Sequence, residues 1–120
     1  MTPRILIVED EPIVAINYAA ILRQAGIEVV GPVGTLEQAL HVIERESLTG
    51  ALLDLTLFGQ SAEPIAVALI ERKVPFVIVS GLPADENRQR FGGAAQLLSK
   101  PCRAVDLIHA VQSLGAPSQL

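Results

Sequence analysis

The chain has 120 residues, a common length for one globular domain, so we expect a single domain over residues 1–120 with an aliphatic core, because half of the residues are hydrophobic and only 3% aromatic. Nine basic residues are scattered among thirteen acidic ones, which argues against direct nucleic-acid binding. No apolar run reaches the roughly 20 residues that span a bilayer, and the lone Cys102 suits a reducing compartment, so we expect a cytoplasmic protein without membrane contact.

Five short apolar runs follow one another along the chain. Most of them are continuous and do not alternate with polar residues, which is typical of strands covered on both faces of a parallel sheet. They occupy residues 5–8, 27–30, 51–53, 76–79 and 95–98.

Stretches with helical spacing lie between these runs. The first has an apolar stripe of Ile13, Ile16, Ala20, Ile21 and Leu22 and ends at Gly26, a residue type that favours helix C-termini. The second begins with Thr35 and Gln38 at the spacing of a capping box. Two further helices are expected over residues 65–70 and 105–114.

The alternation of strands and helices predicts a doubly wound α/β domain with a five-stranded parallel sheet. The connection over residues 80–93 departs from this pattern, because residues 85–90 are polar on all sides, and a short or irregular fourth helix is expected there. Ligand sites in such sheets lie beyond the carboxyl ends of the strands, so the residues at those ends are the first functional candidates.

Polar and charged residues follow four of the five predicted strands: Glu9, Asp10 and Glu11, then Asp54, then Ser80, then Lys100. Carboxylates that converge at one edge repel each other without a cation, which predicts a hard metal held by oxygen, with Mg²⁺ the expected ion. Lys100 would offer an incoming phosphoryl group a positive charge, and Ser80 would offer it a hydroxyl. Asp54 is then the expected nucleophile.

Each of these residues also has a purely structural interpretation. Asp10 or Glu11 could cap the next helix, Ser80 could be an ordinary turn residue, and Lys100 a solvated surface charge. Asp54 is harder to explain in this way, because it directly follows an apolar run, where an unpaired carboxylate is costly. The presence of all these residues at the appropriate strand ends favours a functional site.

Four segments together resemble the CheY-like receiver domains of bacterial two-component response regulators, over nearly the whole chain. They are residues 5–11 (ILIVEDE), 52–55 (LLDL), 77–81 (VIVSG) and 98–101 (LSKP). Each segment alone is a weak signal, but their combination and order are specific. The resemblance implies the flavodoxin-like strand order 2-1-3-4-5 and a function in phosphorelay signalling, without enzymatic activity beyond self-catalysed phosphoryl transfer and dephosphorylation.

Carried over residue by residue, the resemblance makes Asp54 the aspartate that a sensor histidine kinase or a phosphotransfer protein phosphorylates. It implies Mg²⁺ with Asp10, Asp54 and the backbone carbonyl of Thr56 as direct ligands. Glu9 is implied as a ligand that acts through water.

The resemblance also assigns the residues that respond to the phosphoryl group. Ser80 fills the position of the switch hydroxyl, and Lys100 pairs with the phosphoryl group. The peptide between Lys100 and Pro101 is implied to be cis.

Several positions depart from the family pattern. Leu97 replaces the aromatic residue that commonly precedes the lysine by three positions, which rules out aromatic switching there, and Gly81 replaces the common alanine after the switch hydroxyl. The loop over residues 55–59 lacks the usual proline. We therefore expect phosphorylation to order residues 81–93, and we expect output through contacts with an unknown protein target.

Two other functions remain open from the sequence. A magnesium-dependent phosphohydrolase with an aspartyl-phosphate intermediate is one, but enzymes of the haloacid dehalogenase type need a second aspartate two residues after the nucleophile, where this chain has Thr56. The other is a receiver-like module that binds partners without phosphorylation. The retained set of charged residues at the strand ends argues against it.

Overall fold

The computed structural model describes residues 2–54, 56–57, 60–81, 95–100 and 102–114. These residues form seven strands and four helices. The strands are β1 (Arg4–Val8), β2 (Glu28–Val33), β3 (Gly50–Asp54), β4 (Thr56–Leu57), β5 (Gln60–Ser61), β6 (Phe76–Ser80) and β7 (Ala95–Ser99). The helices are α1 (Pro12–Gln24), α2 (Leu36–Arg45), α3 (Glu63–Glu71) and α4 (Ala104–Gln112).

Five of the strands form one parallel sheet in the order β2-β1-β3-β6-β7. Numbered among themselves, these strands have the order 2-1-3-4-5, so the predicted sheet is confirmed. The remaining strands, β4 and β5, pair antiparallel with Thr56 opposite Ser61. This small ladder directly follows the end of β3 and was not predicted from the sequence.

Buried side chains cover both faces of the central strands β1, β3 and β6, which explains why their apolar runs are continuous. One hydrophobic cluster lies between the sheet and helices α2 and α3, and it includes Leu6 and Leu53. The other lies between the sheet and helices α1 and α4, and it includes Ile5 and Leu52. Adjacent residues of one strand therefore enter opposite cores, as the pleat of a strand requires.

Helix α1 packs against the sheet through a different face from the one predicted. Ile13 and Ile16 are 83% and 65% exposed, and the buried residues are Ala15, Ala19 and Leu22. The predicted stripe is therefore wrong as an inner face at Ile13 and Ile16, whereas its last residue, Leu22, is buried as expected. Small alanine side chains let the helix backbone approach strands that already carry large aliphatic side chains.

Local signals fix both ends of β2. Gly26 follows α1 with a φ of 81°, a left-handed conformation that glycine adopts without strain. The hydroxyl of Thr35 accepts a hydrogen bond from the Gln38 amide at 3.1 Å, which confirms the predicted cap of α2. The Gln38 side chain accepts a bond from the Gly34 amide at 3.2 Å, one residue before the cap.

Two predictions rest on residues outside the described ones. The short or irregular fourth helix was expected within residues 80–93, of which only residues 80 and 81 are described, and the predicted cis peptide precedes Pro101. Within the described part of the chain, a cis peptide joins Gly31 to Pro32. The same part contains no helix long and apolar enough to cross a membrane.

Candidate functional site

Three carboxylates meet where β1 and β3 end. Val8 pairs with Leu53, so the next residues of the two neighbouring strands, Glu9 and Asp54, are brought side by side. Asp10 follows Glu9, and one carboxylate oxygen from each of the three acids lies within 4.8 Å of the others. The structure thus brings together the three acids that the sequence placed at this edge.

Glu9 is almost fully enclosed, at 4% exposure. Its amide donates to the carbonyl of Val33 at 2.9 Å, and its Oε1 accepts a hydrogen bond from the Glu11 amide at 3.2 Å. Its Oε2 is buried and has no hydrogen-bond partner among the described residues when the carboxyl groups are ionised. A buried carboxylate oxygen in this state needs either a proton or a cation.

The pKa of Glu9 is shifted in the direction that favours a bound proton. Burial raises the pKa of Glu9 to about 8, and a hydrogen bond to Asp54 and the charge of Asp54 act in the same direction. The Glu11 amide and the charge of Lys100 oppose the shift without cancelling it. Without a cation, burial and the neighbouring Asp54 therefore favour the protonated form of Glu9.

Lys100 supplies the positive charge of the site. Its Nζ lies 3.1 Å from Oδ2 of Asp54, whose side chain is only 11% exposed. Burial lowers the pKa of Lys100, but the hydrogen bond to Asp54 and the charges of Asp54, Glu9 and Asp10 outweigh burial and raise it. Lys100 therefore stays protonated and points a fixed charge at Asp54.

Ser80 ends β6 and is buried, at 5% exposure. It pairs with Ser99 of β7, and its carbonyl accepts a hydrogen bond from the Lys100 amide at 2.9 Å. Ser80 is thus fixed to the backbone of the residue whose side chain contacts Asp54.

The helix-capping explanation does not hold for the Glu11 side chain. Helix α1 begins at Pro12 with Glu11 as its N-cap, and the Glu11 side chain makes no capping hydrogen bond. Thr56, the expected carbonyl ligand, lies two residues after Asp54 in β4. Its backbone is therefore close to the acid cluster along the chain.

An open cleft of about 300 Å³ extends from the acid cluster between α1 and the end of β2. Glu9 and Asp10 form its polar part, and Ile16, Pro32 and Val33 contribute to an otherwise apolar lining. Residues 31–34 contain two glycines and a proline, a composition that indicates a turn, so this wall of the site was not predicted from the sequence. No side-chain signal could have revealed it, because Val33 contacts Glu9 through its backbone carbonyl.

Tyr18 was also missed. Burial raises its pKa to about 12, and the charges of Cys102, Glu9 and Asp54 contribute to the shift. It is the only tyrosine of a chain that has no tryptophan. Its phenol therefore stays protonated near the acids and offers a natural fluorescent reporter of that region.

A protein-family model described as the response regulator receiver domain matches residues 5–112 of the chain. The chain belongs to this family. Receiver domains are signalling modules of two-component systems, and the fold and the acid cluster described above are those expected of a receiver.

Curated relatives of this receiver are longer proteins. The transcriptional regulatory protein PdtaR of Mycobacterium tuberculosis is 28% identical over 112 residues, which are 91% of this chain and 55% of PdtaR. The sensory transduction protein RegX3 of Mycolicibacterium smegmatis is 33% identical over 114 residues, which are 92% of this chain and 49% of RegX3. The chain thus spans about half the length of the curated relatives it matches.

Solved structures share the receiver fold. A response regulator receiver protein from Sinorhizobium medicae superposes with a TM-score of 0.85 at 25% identity, and 94% of each chain is covered. A CheY-like receiver domain protein from Methanospirillum hungatei superposes with a TM-score of 0.80 at 27% identity, covering 93% of this chain and 92% of that one. The similarity therefore extends over nearly the whole chain.

Proposed function

We propose that this receiver accepts a phosphoryl group on Asp54. The observation that carries the proposal is the position of the Asp54 carboxylate, which ends the central strand β3 between a lysine ammonium 3.1 Å away and two further carboxylates. A carboxylate in this setting is a nucleophile whose attack on phosphorus is helped by positive charge at the transferred oxygens.

In the proposed phosphoryl transfer, one bond to phosphorus breaks and another forms. A carboxylate oxygen of Asp54 attacks the phosphorus of a phosphohistidine, the P–N bond breaks, and an acyl phosphate P–O bond forms. The leaving imidazole nitrogen takes a proton and becomes neutral histidine. Lys100 is held close enough to move from the carboxylate to an oxygen of the phosphoryl group, where it offsets the added negative charge.

The donor set fits a divalent cation of the Mg²⁺ type. Hard cations of this class prefer carboxylate and carbonyl oxygens, and the buried Oε2 of Glu9 is an oxygen without a partner among the described residues. Asp10, Asp54 and the Thr56 carbonyl would hold Mg²⁺ directly and Glu9 would act through water. When bound, the cation neutralises charge on the phosphoryl oxygens.

Ser80 is the proposed sensor of the modified state. Its side chain is buried at the end of β6, and its carbonyl is hydrogen-bonded to the Lys100 amide. A hydroxyl that turns toward a phosphoryl group on Asp54 would move the start of the connection that follows Gly81. This connection includes residues 82–94, which lie outside the described residues, and the ordering of that segment stays a prediction.

The proposed phosphodonor is a sensor histidine kinase or a phosphotransfer protein, and the proposed output is a contact with a target protein. Ile13 and Ile16 support a protein donor, since both are strongly exposed and Ile16 lines the cleft that Glu9 and Asp10 enter. A donor surface that covers these side chains would bring its histidine to the acid cluster while it buries apolar area. We propose a cytoplasmic protein without direct nucleic-acid contact.

Intact-protein mass spectrometry after treatment with acetyl phosphate and Mg²⁺ tests the acceptor. We expect one phosphoryl group on the wild type and none on Asp54→Asn, which keeps the size of the side chain but removes the nucleophile. Asp106→Asn is the matched control, because Asp106 is a half-buried carboxylate that pairs with Arg103 and does not belong to the cluster of three acids. Labelling that persists in Asp54→Asn would exclude Asp54 as the acceptor.

A second substrate separates the alternatives. Release of many equivalents of inorganic phosphate from a phosphate monoester such as p-nitrophenyl phosphate would indicate a phosphohydrolase, whereas a receiver that is labelled by acetyl phosphate should not turn such an ester over. No labelling and no spectral response to Mg²⁺ would indicate a module that binds partners without phosphorylation.

A further inference from the structure

Strand β2 is irregular at the end that lies beside the acid cluster. In its pairing with β1, two positions separate Leu6 from Val8, but three positions separate their partners Val30 and Val33. One extra residue is therefore inserted into β2, as in a β-bulge. The inserted stretch contains Pro32, which has no amide hydrogen to donate to a ladder.

The extra residue changes which way β2 faces. Val29 packs with the cluster under α1 and α4, whereas Val33, four residues later, packs with the cluster under α2 and α3. Four residues along a regular strand return a side chain to the same face. The insertion thus turns Val33 over and sets its carbonyl where the Glu9 amide donates to it at 2.9 Å.

Gly31 makes this turn possible. Its φ is 93°, a value that residues with a side chain rarely adopt. A Cβ atom at this position would also lie 2.8 Å from the Val33 nitrogen and 3.3 Å from the Ile7 carbonyl oxygen. Both atoms belong to backbone that cannot move without displacing either β1 or Val33.

We propose that the bulged end of β2 is a positioning element for the metal and phosphoryl site, in which Gly31 fixes the Val33 carbonyl and the Val33 carbonyl fixes Glu9. Gly31 is a positioning residue, because it acts on Glu9 only through Val33. The proposal rests on the proposed function of Glu9 as part of the cation site. The buried carboxylate of Glu9 is held in position by the hydrogen bond from its own amide to the Val33 carbonyl of the neighbouring strand.

The comparison of Gly31→Ala with Gly26→Ala tests this proposal. Gly26 also has a positive φ, 81°, but a Cβ there would meet nothing within 4 Å, and it lies at the opposite end of β2. Both variants carry the backbone strain of a left-handed alanine, so both should lose stability. Only Gly31→Ala should disturb Glu9.

Two readouts distinguish a positioning role from a general loss of stability. The first is Mg²⁺ affinity, followed by the fluorescence of Tyr18. We expect affinity to weaken about tenfold or more in Gly31→Ala, the usual effect of losing a group that orients a ligand, and to stay within about twofold in Gly26→Ala. The second is hydrogen exchange of the Glu9 amide in metal-free protein, which should accelerate in Gly31→Ala alone.

The outcomes are separable from those of the proposed function. If the wild type binds no Mg²⁺, the cation site fails and the exchange of the Glu9 amide alone decides whether β2 positions Glu9. If the wild type binds Mg²⁺ and the two variants bind it equally well, the positioning role of Gly31 is refuted while the cation site stands.

Variants of Gly34 provide a second test if Gly31→Ala does not fold. A Cβ on Gly34 would make ordinary contacts with the Glu9 carbonyl oxygen at 3.5 Å and with Cα of Asp10 at 3.7 Å. Gly34→Ala should therefore leave Mg²⁺ affinity unchanged, whereas the added methyl groups of Gly34→Val press on the same backbone and should weaken it. Equal affinities in these two variants would also contradict the proposal.

Discussion

The two ends of β1 carry charged clusters of opposite character. At its start, Nε and Nη2 of Arg4 each lie 2.9 Å from a carboxylate, of Glu28 and Glu46 respectively, and all three side chains are at least 32% exposed. Just beyond its end, Glu9 is buried beside Asp54, and one lysine faces three acids. Both clusters carry an excess of negative charge, but the first is solvated, whereas Glu9 and Asp54 of the second are enclosed.

This difference shows which charges need a function to explain them. Water screens the excess charge around Arg4. The Arg4 guanidinium already donates hydrogen bonds to Glu28 and Glu46, and in this way it connects β1 to β2 and to the end of α2. Glu9 has neither advantage, because it is withdrawn from water and has an oxygen without a hydrogen-bond partner among the described residues. Only the second cluster requires another charged group.

The largest expected effect comes from removing the lysine of the enclosed cluster. In Lys100→Met we expect the rate of labelling by acetyl phosphate to fall about 100-fold, because a preorganised charge at the transferred oxygens is lost. Arg103→Met is the control, since Arg103 is exposed and pairs with Asp106 alone among the described ion pairs. Time courses of labelling by mass spectrometry measure both, and equal rates in the two variants would contradict the role of Lys100.

The stability of the metal-free protein should depend on pH through Glu9. Because its pKa is raised from 4.5 to about 8, the folded state binds more protons than the unfolded state within that window. Stability is therefore full below the window and falls continuously as pH rises through it. Urea unfolding in EDTA measures this loss, and Glu9→Gln should flatten it. An equal slope in both proteins would assign the effect to other groups.

The affinity for Mg²⁺ should also depend on the protonation of Glu9. A cation that uses the Glu9 carboxylate must displace its proton, so affinity should be about tenfold weaker near pH 7 than near pH 9. Calorimetry at the two pH values measures the ratio. Glu9→Gln should bind more weakly and lose the pH dependence, whereas Glu46→Gln, in the exposed cluster, should behave as the wild type. Affinity that does not vary with pH in the wild type would show that Glu9 is not involved.

The smallest effect is expected at the exposed cluster. Arg4→Met removes two solvated ion pairs and a bond to the Ser47 carbonyl, and exposed pairs of this kind contribute little. We expect a small decrease in the urea midpoint and Mg²⁺ affinity within about twofold of the wild type. A loss of affinity comparable to that of Glu9→Gln would show that the two clusters are coupled through β1.

The sequence predicted the main parts of the site because each part is encoded locally. Asp54 directly follows an apolar run, and the same holds for Glu9 and Ser80, so the strand ends were recognisable and the parallel order brought them together. The cap at Thr35 was predictable for the same reason. Each of these features depends on neighbouring residues in the chain.

Other features depend on contacts between distant segments. Helix α1 has isoleucine and alanine on different faces, and its spacing alone did not decide that Ala15 and Ala19 face the sheet while Ile13 and Ile16 face solvent. The bulge of β2 resembles a turn in sequence, and its contact with Glu9 is a backbone bond that leaves no side-chain pattern. The sequence-based roles of the individual site residues stay predictions until the variants are measured.

Strand β3 contributes successive residues to both hydrophobic layers, Leu53 to the one under α2 and α3 and Leu52 to the one under α1 and α4. Both layers are close-packed, so neither can absorb a shift of the strand without moving the helices that cover it. A small axial displacement of β3 caused by a group attached to Asp54 would consequently reach the two sides of the molecule at the same time. Partners bound to opposite sides of the domain could then sense one chemical event.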